Sequence, residues 1–297
     1  MRKEIVKFIN KIFPVALLEI LFPNKIIKSP DYNTFLDIKD TIANKSFQMY
    51  LREDSYIESM ILSKGLYGDW EKESLKIWAE LSKNSQIILD IGANTGIYSL
   101  LAQNNNPHAK IIAIEPVEIN FMVLAQNVRQ NQFSISTEKI ALSDSEGTAK
   151  MYMLKDRLNY MTSINDDRYA LHPEIKGNIE VVEIEVSMKP FSYVHQKYNL
   201  DNLHLVKIDV EGHEKNVIEG MMPFLEKYKP SVLIEIIGDE NAKSLDKIFR
   251  EMGYHFISIN EIDKSLEVKG LWDNDHHNFL ICNKRTVQYL QSKNLVV

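Results

Sequence analysis

The 297 residues, 44% hydrophobic and 26% charged, suffice for one large α/β domain with an added segment and exclude a disordered or polytopic membrane chain. Thirty-five Lys and Arg against 41 Asp and Glu leave a net charge of −6, too acidic for a broad nucleic-acid surface, so no nucleic-acid partner is expected. The charge is unevenly placed: Arg2, Lys3, Lys7, Lys11, Lys25 and Lys28 oppose only Glu4 and Glu19, making residues 1–30 +4 and the remainder −10.

The chain opens on a basic amphipathic stretch, in which Ile5, Phe8, Ile9, Ile12 and Phe13 recur at helical spacing while Lys3, Lys7 and Lys11 fall elsewhere on the wheel. Its charge-free run, Ile12 to Leu18, is far short of the roughly 20 apolar residues that span a bilayer, and Pro14 interrupts it. Glu19 and the missing small-residue cleavage site argue against a secretory signal. Two readings of residues 1–23 stay open: a helix docked on the domain, or a peripheral contact with an anionic membrane surface. Either suits a cytoplasmic protein, the second at the inner face of the membrane. The lone Cys282, inside the apolar run Asn278–Cys282, fits a reducing compartment and a buried structural thiol. With one cysteine and eight scattered histidines, no zinc site is expected.

Residues 31–83 read as mainly helical, ending in Trp70–Leu81, where Leu75, Trp78 and Leu81 keep a helical period. Residues 1–83 are thus expected to form a helical N-terminal segment before a main domain at 84–297. From Gln86 short apolar runs alternate with helices: Ile87–Ile91, Ile111–Ile114, Ile140–Leu142, Leu203–Ile208, Val232–Ile237, His255–Ile259 and Phe279–Cys282. This alternation indicates an α/β fold, an open and mostly parallel sheet with helices on both faces. Gly147–Leu154 and Ile179–Val186 alternate like exposed strands around a polar stretch, so an insertion at about 147–187 is expected near the ligand edge.

Ile87-Ile-Leu-Asp90-Ile-Gly92-Ala93-Asn94-Thr-Gly96 runs from a buried strand through a glycine turn into a helix. Ligands of open α/β sheets bind at the carboxyl ends of the strands, near the switch in strand order. The spacing Gly92-x-Asn94-x-Gly96 lacks the glycines of a dinucleotide fingerprint. Asp90 would repel a pyrophosphate but attract the ammonium group of a cationic amino-acid ligand. S-adenosyl-L-methionine is such a ligand, and Glu115, ending the second strand, can accept hydrogen bonds from both ribose hydroxyls. Pro116 closes that strand and offers a flat surface near an adenine.

These residues resemble the FkbM-like S-adenosylmethionine-dependent methyltransferases over roughly residues 60–283. The resemblance is carried by Gly65–Glu71, Leu89–Gly96, Ile114–Pro116 with Asn120 and Asn127, Ala141–Asp144, Lys207–Glu214 and Pro230–Glu235. It implies a Rossmann-like seven-stranded sheet and methyl transfer to a hydroxyl oxygen of a sugar or natural product. By the same likeness Asp90, Gly92, Asn94, Gly96, Glu115 and Leu142 hold the cofactor, with Ala93 and Pro116 between them.

In Lys207-Ile-Asp209-Val-Glu211-Gly212-His213-Glu214 the period of two separates Lys207 and Asp209 from Val206 and Ile208. Gly212 then turns the chain into a helix. Asp209, Glu211 and His213 are expected at the carboxyl edge beside the cofactor loop, and Glu235 at the end of the neighbouring strand. Transfer to an alcohol needs in-line alignment and a base. His213 has a suitable unperturbed pKa, and Asp209, Glu211 and Glu235 are the other candidates. Asp209 also has a plain structural reading, an ion pair with Lys207. A divalent cation held by these carboxylates is a lesser alternative. Tyr67, Trp70 and Glu71 could cover the cofactor or serve the core; the loop Asn159–Ser163 could meet a polar acceptor; His276 and His277 read as a solvated hairpin. The leading reading is an O-methyltransferase for a hydroxylated small molecule or glycan. The competitors are a non-catalytic cofactor-binding subunit of a glycan-assembly complex and an NAD-type oxidoreductase.

Overall fold

A computed structural model describes residues 33–52, 55–154, 181–263, 265–272 and 277–297. The amphipathic leader 1–23, the loop 159–163 and His276 lie outside the described residues. Among the described residues no helix is long and apolar enough to cross a membrane.

The first described element corrects the expectation of a helical segment over 31–83. Strands β1 (Thr34–Asp40) and β2 (Lys45–Leu51) form an antiparallel hairpin pairing Thr34 with Leu51 and Asp40 with Lys45. Phe47, Met49 and Leu51 are buried on one side, the period of two that makes this segment a strand. Asn44, at φ 53°, turns the chain between the strands, and Asp40 Oδ1 accepts from the backbone N–H of Ile42 and Ala43 at 3.1 and 3.0 Å. Helices follow only from α1 (Tyr56–Lys64) and α2 (Lys72–Ser82).

The main sheet is built from β3 (Ile87–Ile91), β4 (Lys110–Ile114), β5 (Ile135–Glu138), β9 (Leu205–Ile208), β10 (Ser231–Glu235), β11 (His255–Ser258), β12 (Leu266–Val268) and β13 (Asn278–Cys282). Their spatial order is β12-β11-β13-β10-β9-β3-β4-β5. The five strands from β10 to β5 are parallel, β13 runs against both β10 and β11, and β12 adds an antiparallel edge. Without that edge strand the sheet has the seven strands expected. Two further corrections concern the third strand. The edge strand is Ile135–Glu138, whose polar, half-covered sequence hides it from a search for apolar runs. The run Ile140–Leu142 instead leads into β6 (Ala141–Ser143), which pairs in parallel with β8 (Val181–Pro190), itself antiparallel to β7 (Gly147–Leu154). These three make a separate small sheet over the ligand edge.

Helices α3 (Ile97–Asn105), α4 (Glu118–Gln130), α5 (Phe191–Lys197), α6 (Glu214–Tyr228), α7 (Asp239–Glu251) and α8 (Lys284–Ser292) complete the chain. Alternate residues of each strand serve two cores. Ile88, Ala113, Leu205, Leu233 and Leu280 face the hairpin, α2, α3 and α8. Leu89, Ile112, Val206, Ile234 and Ile281 face α5, α6 and α7. Each fully buried Leu or Ile is worth about 1.5–3 kcal/mol. Cys282 is buried in the first core, where burial pushes its thiol up to about 12; this is the structural thiol expected. The chain visits β3, β4 and β5 on one side and returns to β9 and β10 on the other, so the strand order switches between β3 and β9, where a ligand crevice opens.

Candidate functional site

The carboxyl ends of β3, β4 and β9 are fastened to one another by their own backbones. Ile114 O accepts from the N–H of both Gly92 and Ala93 at 2.9 Å, and Ile91 O accepts from Asp209 N at 3.0 Å. Gly92 has φ 78°, and a side chain there would put Cβ 1.8 Å from Asp209 O. Glycine is thus demanded first by the approach of the β9 loop. Gly96, at φ 100°, precedes α3, and its Cβ would press on Leu124 of α4 at 2.6 Å.

The resulting cleft encloses about 880 Å³, open solvent at its mouth included. Ten sequence-predicted residues line it: Asp90, Gly92, Ala93, Asn94, Glu115, Pro116, Leu142, Asp209, Glu211 and His213. Gly96 and Glu235 are not in its wall. Gly96 packs behind the loop, and Glu235 lies on the sheet face covered by α2. Trp70, read as a cover for the cofactor or as core, is in the wall too, and residues added by the structure include Ile57 of α1, Tyr98 of α3, Met151 of β7 and Lys207. Met151 brings the small sheet to the ligand edge, where the insertion was expected. Asn127 is elsewhere: its amide donates to Thr95 O at 2.8 Å and its carbonyl accepts from Tyr50 N at 2.8 Å, clamping the glycine loop to the hairpin.

Glu115 is buried, and its two carboxylate oxygens accept from the backbone N–H of Asn94 and Val117, both at 2.9 Å. Burial nevertheless pushes it up to about 7, outweighing those hydrogen bonds. Asp90 accepts from Ser99 Oγ at 2.5 Å and is driven up to about 6 by burial, against that bond and the nearby charge of Lys207. Asn120 Oδ1 is buried and, among the described residues, has no hydrogen-bond partner, although the residue lines the cleft. An unpaired buried carbonyl in a ligand wall is available to a donor on the ligand. A neutral-to-acidic wall with a spare acceptor fits a ligand carrying an ammonium group, hydroxyls and an amine. It does not fit a pyrophosphate.

On the sheet face under α2, Asp90 stands in register with Lys207, and Lys207 with Leu233, so Glu235 lies two residues along on the same face. Lys207 is 2% exposed; its Nζ is 3.0 Å from Asp209 Oδ2 and 4.7 Å from the centroid of the Tyr98 ring. The ion pair named as the plain reading of Asp209 is therefore present. Burial opposes the lysine's charge, but Asp209, Glu71 and Glu235 outweigh it and hold its pKa above the ordinary lysine value. Glu71, at φ 43° just before α2, accepts from Tyr98 Oη at 2.5 Å. Desolvation raises Glu71 and Glu235, and the charge of Asp209 pushes both further. One buried ammonium thus holds together a group of carboxylates. Glu261, after β11, accepts from the N–H of Glu73 and Ser74 at 2.7 and 3.2 Å and from Ser74 Oγ at 2.5 Å, capping α2.

His213 precedes α6 on the other flank of the cleft, with Nε2 3.0 Å from Ser143 Oγ; burial lowers its pKa, with Asp144 opposing. Glu211 holds φ 57°, an unfavourable conformation for a glutamate at the mouth of the cleft. Among the described residues, no group of three or more His, Cys, Asp and Glu side chains is placed to hold a metal ion.

Against known proteins, residues 90–256 match the family model described as the methyltransferase FkbM domain. The methyltransferase sdnD of Sordaria araneosa is 28% identical over 187 residues, 56% of this chain and 70% of that protein. The 31-O-demethyl-FK506 methyltransferase FkbM of Streptomyces tacrolimicus is 25% identical over 154 residues, 46% of this chain and 59% of that one. The hexuronic acid methyltransferase AglP of Haloferax volcanii is 24% identical, covering 61% of this chain and 68% of its own. The match thus spans less than two thirds of the Streptomyces protein. A crystal structure of the methyltransferase FkbM from Methylobacillus flagellatus aligns with TM-score 0.41 at 13% identity, over 66% of this chain and 43% of that one.

Proposed function

This chain belongs to the FkbM methyltransferase family and uses S-adenosyl-L-methionine, and from that premise we propose that it methylates a hydroxyl oxygen of a small molecule or glycan. The observation that supports the reading best is the pair of buried carboxylates, Asp90 and Glu115, flanking the Gly92–Gly96 loop beside the spare acceptor of Asn120. S-adenosylmethionine, when bound, supplies an electrophilic methyl group on a sulfonium. Asp90 would hold its ammonium and Glu115 its ribose hydroxyls, with Pro116, Leu142 and Met151 as apolar walls. Asp209, Glu211 and His213 would face the acceptor, while Glu235 acts from beneath through Asp209. The reading is tested by a labelled-methyl transfer screen against hydroxylated sugars, lipids and natural products, with intact-mass detection of the ~14 Da gain of one methyl group. Cofactor binding without transfer to any hydroxyl would leave a binding subunit in its place.

The acid strengths of the two carboxylates predict a pH signature. Both hold the cofactor when ionised, and burial has raised them to about 6 and about 7. Affinity for S-adenosylhomocysteine should therefore rise by about tenfold or more between pH 5.5 and 7.5, since each carboxylate loses a factor of ten per unit below its pKa. Titration calorimetry across that range checks this, and Asp90→Asn should weaken binding and flatten the curve. A pH-independent wild-type affinity would remove both residues from the cofactor site.

A further inference from the structure

The residues around His213 form a chain that the methyltransferase reading does not use. Ser143 Oγ, 2% exposed at the end of β6, lies 3.0 Å from His213 Nε2 and 3.1 Å from Asp144 Oδ1. Asp144 is fixed in turn: its Oδ1 accepts from Ser145 Oγ at 2.9 Å and its Oδ2 from Asn216 Nδ2, in the first turn of α6, at 3.3 Å. The two ends of the chain cannot drift apart, because α6 lies directly on β6. A Cβ at Gly220 would stand 2.2 Å from Ser143 O.

One hydroxyl has one proton, and this decides the direction of the chain. If Ser143 gave its proton to His213, its lone pairs would face the carboxylate of Asp144, which its hydrogen bonds keep ionised. If the proton goes to Asp144, the Ser143 oxygen is free to accept from Nε2–H, and every contact is satisfied. Nδ1 is then the lone-pair nitrogen, and among the described residues it has no hydrogen-bond partner.

We propose that Ser143 and Asp144 are positioning residues that hold His213 as its Nε2–H tautomer and leave Nδ1 to take the proton of the acceptor hydroxyl. This rests on the O-methyl transfer reading. The acceptor O–H bond breaks toward Nδ1 as the oxygen forms its bond to the methyl carbon, the electron pair of the broken carbon–sulfur bond stays on sulfur, and the imidazolium returns its proton to water. The charge that steadies the imidazolium comes from Asp144 through Ser143. Among the described residues Asp144 is the one charge that acts on the ring; the other acidic groups of the same segment are Asp209 and Glu211, which line the cleft with His213, and Glu214 of α6, whose carboxylate accepts from Gly212 N at 2.7 Å.

The test needs no acceptor. In ¹⁵N-labelled full-length protein, with the His213 ring assigned by its loss in His213→Gln, two-bond ¹H–¹⁵N spectra should show Nε2 protonated and Nδ1 bare at pH 8. Asp144→Asn should lower the His213 pKa by about half a pH unit or more, and Ser143→Ala should abolish the tautomer preference, with the other histidines unmoved. Nδ1–H in the wild type, or an unchanged ring in both variants, overturns the proposal whether or not the chain transfers methyl groups to oxygen. On an acceptor supplied by the screen, Ser143→Ala should lower kcat by about tenfold with KM little changed, and Asp144→Asn should move the acid limb of kcat downward. A missing acceptor leaves the tautomer result standing by itself, so the two readings fail separately.

Discussion

Lys207→Met should lower stability by about 3 kcal/mol at pH 8 and the Tm by roughly 6–12 °C. Methionine nearly matches the volume and flexibility of the lysine stem, so the loss is one of charge and hydrogen bonding rather than of packing. Without the ammonium, Asp209 loses its 3.0 Å partner, and Glu71, still bonded by Tyr98 Oη, and Glu235 lose the one positive charge that offsets theirs and that of Asp209. Breaking a buried pair costs about 3–5 kcal/mol; the lower end applies because the Asp209 side chain is 26% exposed and water partly screens it. The sign of the pH dependence separates charge from packing. Glu71 and Glu235 have folded pKa values raised above their unfolded ones, so the folded state takes up protons and gains stability as pH falls through the folded values toward the unfolded value near 4.3. Each proton taken up removes one uncompensated charge. The deficit of the variant should therefore shrink between pH 8 and pH 5.5 in urea titrations, whereas a packing defect would be equal at both.

The second large effect is expected from Gly92→Ala, at about 2–6 kcal/mol together with loss of cofactor binding. Part of the cost is an alanine forced to φ 78°, and part is overpacking, each worth roughly 1–3 kcal/mol. What the new methyl meets is the carbonyl of Asp209 at 1.8 Å, a backbone atom that cannot rotate away. Relief requires the ends of β3 and β9 to part, which strains the Asp209 N to Ile91 O bond and widens the crevice where the strand order switches. Gly96→Ala bears the same kind of backbone strain, at φ 100°, but should be milder because its methyl presses on the end of the Leu124 side chain rather than on backbone. Denaturant melts and S-adenosylhomocysteine calorimetry on the two variants check the ranking; equal stability of both would show that the β9 loop yields freely.

What could be read from the chain depended on how local its cause was. Ile87–Ile91 and the loop after it are legible because strand, turn and helix start follow one another within ten residues, and the same holds for Lys207–Glu214. The hairpin was lost although Phe47, Met49 and Leu51 carry the period of two, because its turn has neither glycine nor proline: Asn44 supplies the positive φ and Asp40 closes the loop with a side chain. Strand β5 was lost because Ile135-Ser-Thr-Glu138, at an edge, has no need of a continuous apolar run. In the site, the candidates sit at or just beyond strand ends as their positions dictate; Glu235 does end β10, but on the face under α2, and Gly96 packs behind the loop, so neither lines the cleft. The charge group around Lys207 was only partly legible. Its pair with Asp209 is local, but Glu71 and Tyr98 reach it from elements whose packing no spacing reveals. Ser143 and His213 are 70 residues apart and meet only because α6 lies on β6.

The carboxylate that closes the first turn of α2 comes from Glu261, 187 residues beyond Ser74. On a ribosome adding about 5–20 residues per second, that partner is not synthesised until roughly 10–40 s after the helix it serves. Until then the N–H groups of Glu73 and Ser74 have only water, and the turn that carries Trp70 of the cleft wall into α2 lacks its cap. The ligand crevice is thus completed late in translation, by a residue contributed from the far end of the sheet.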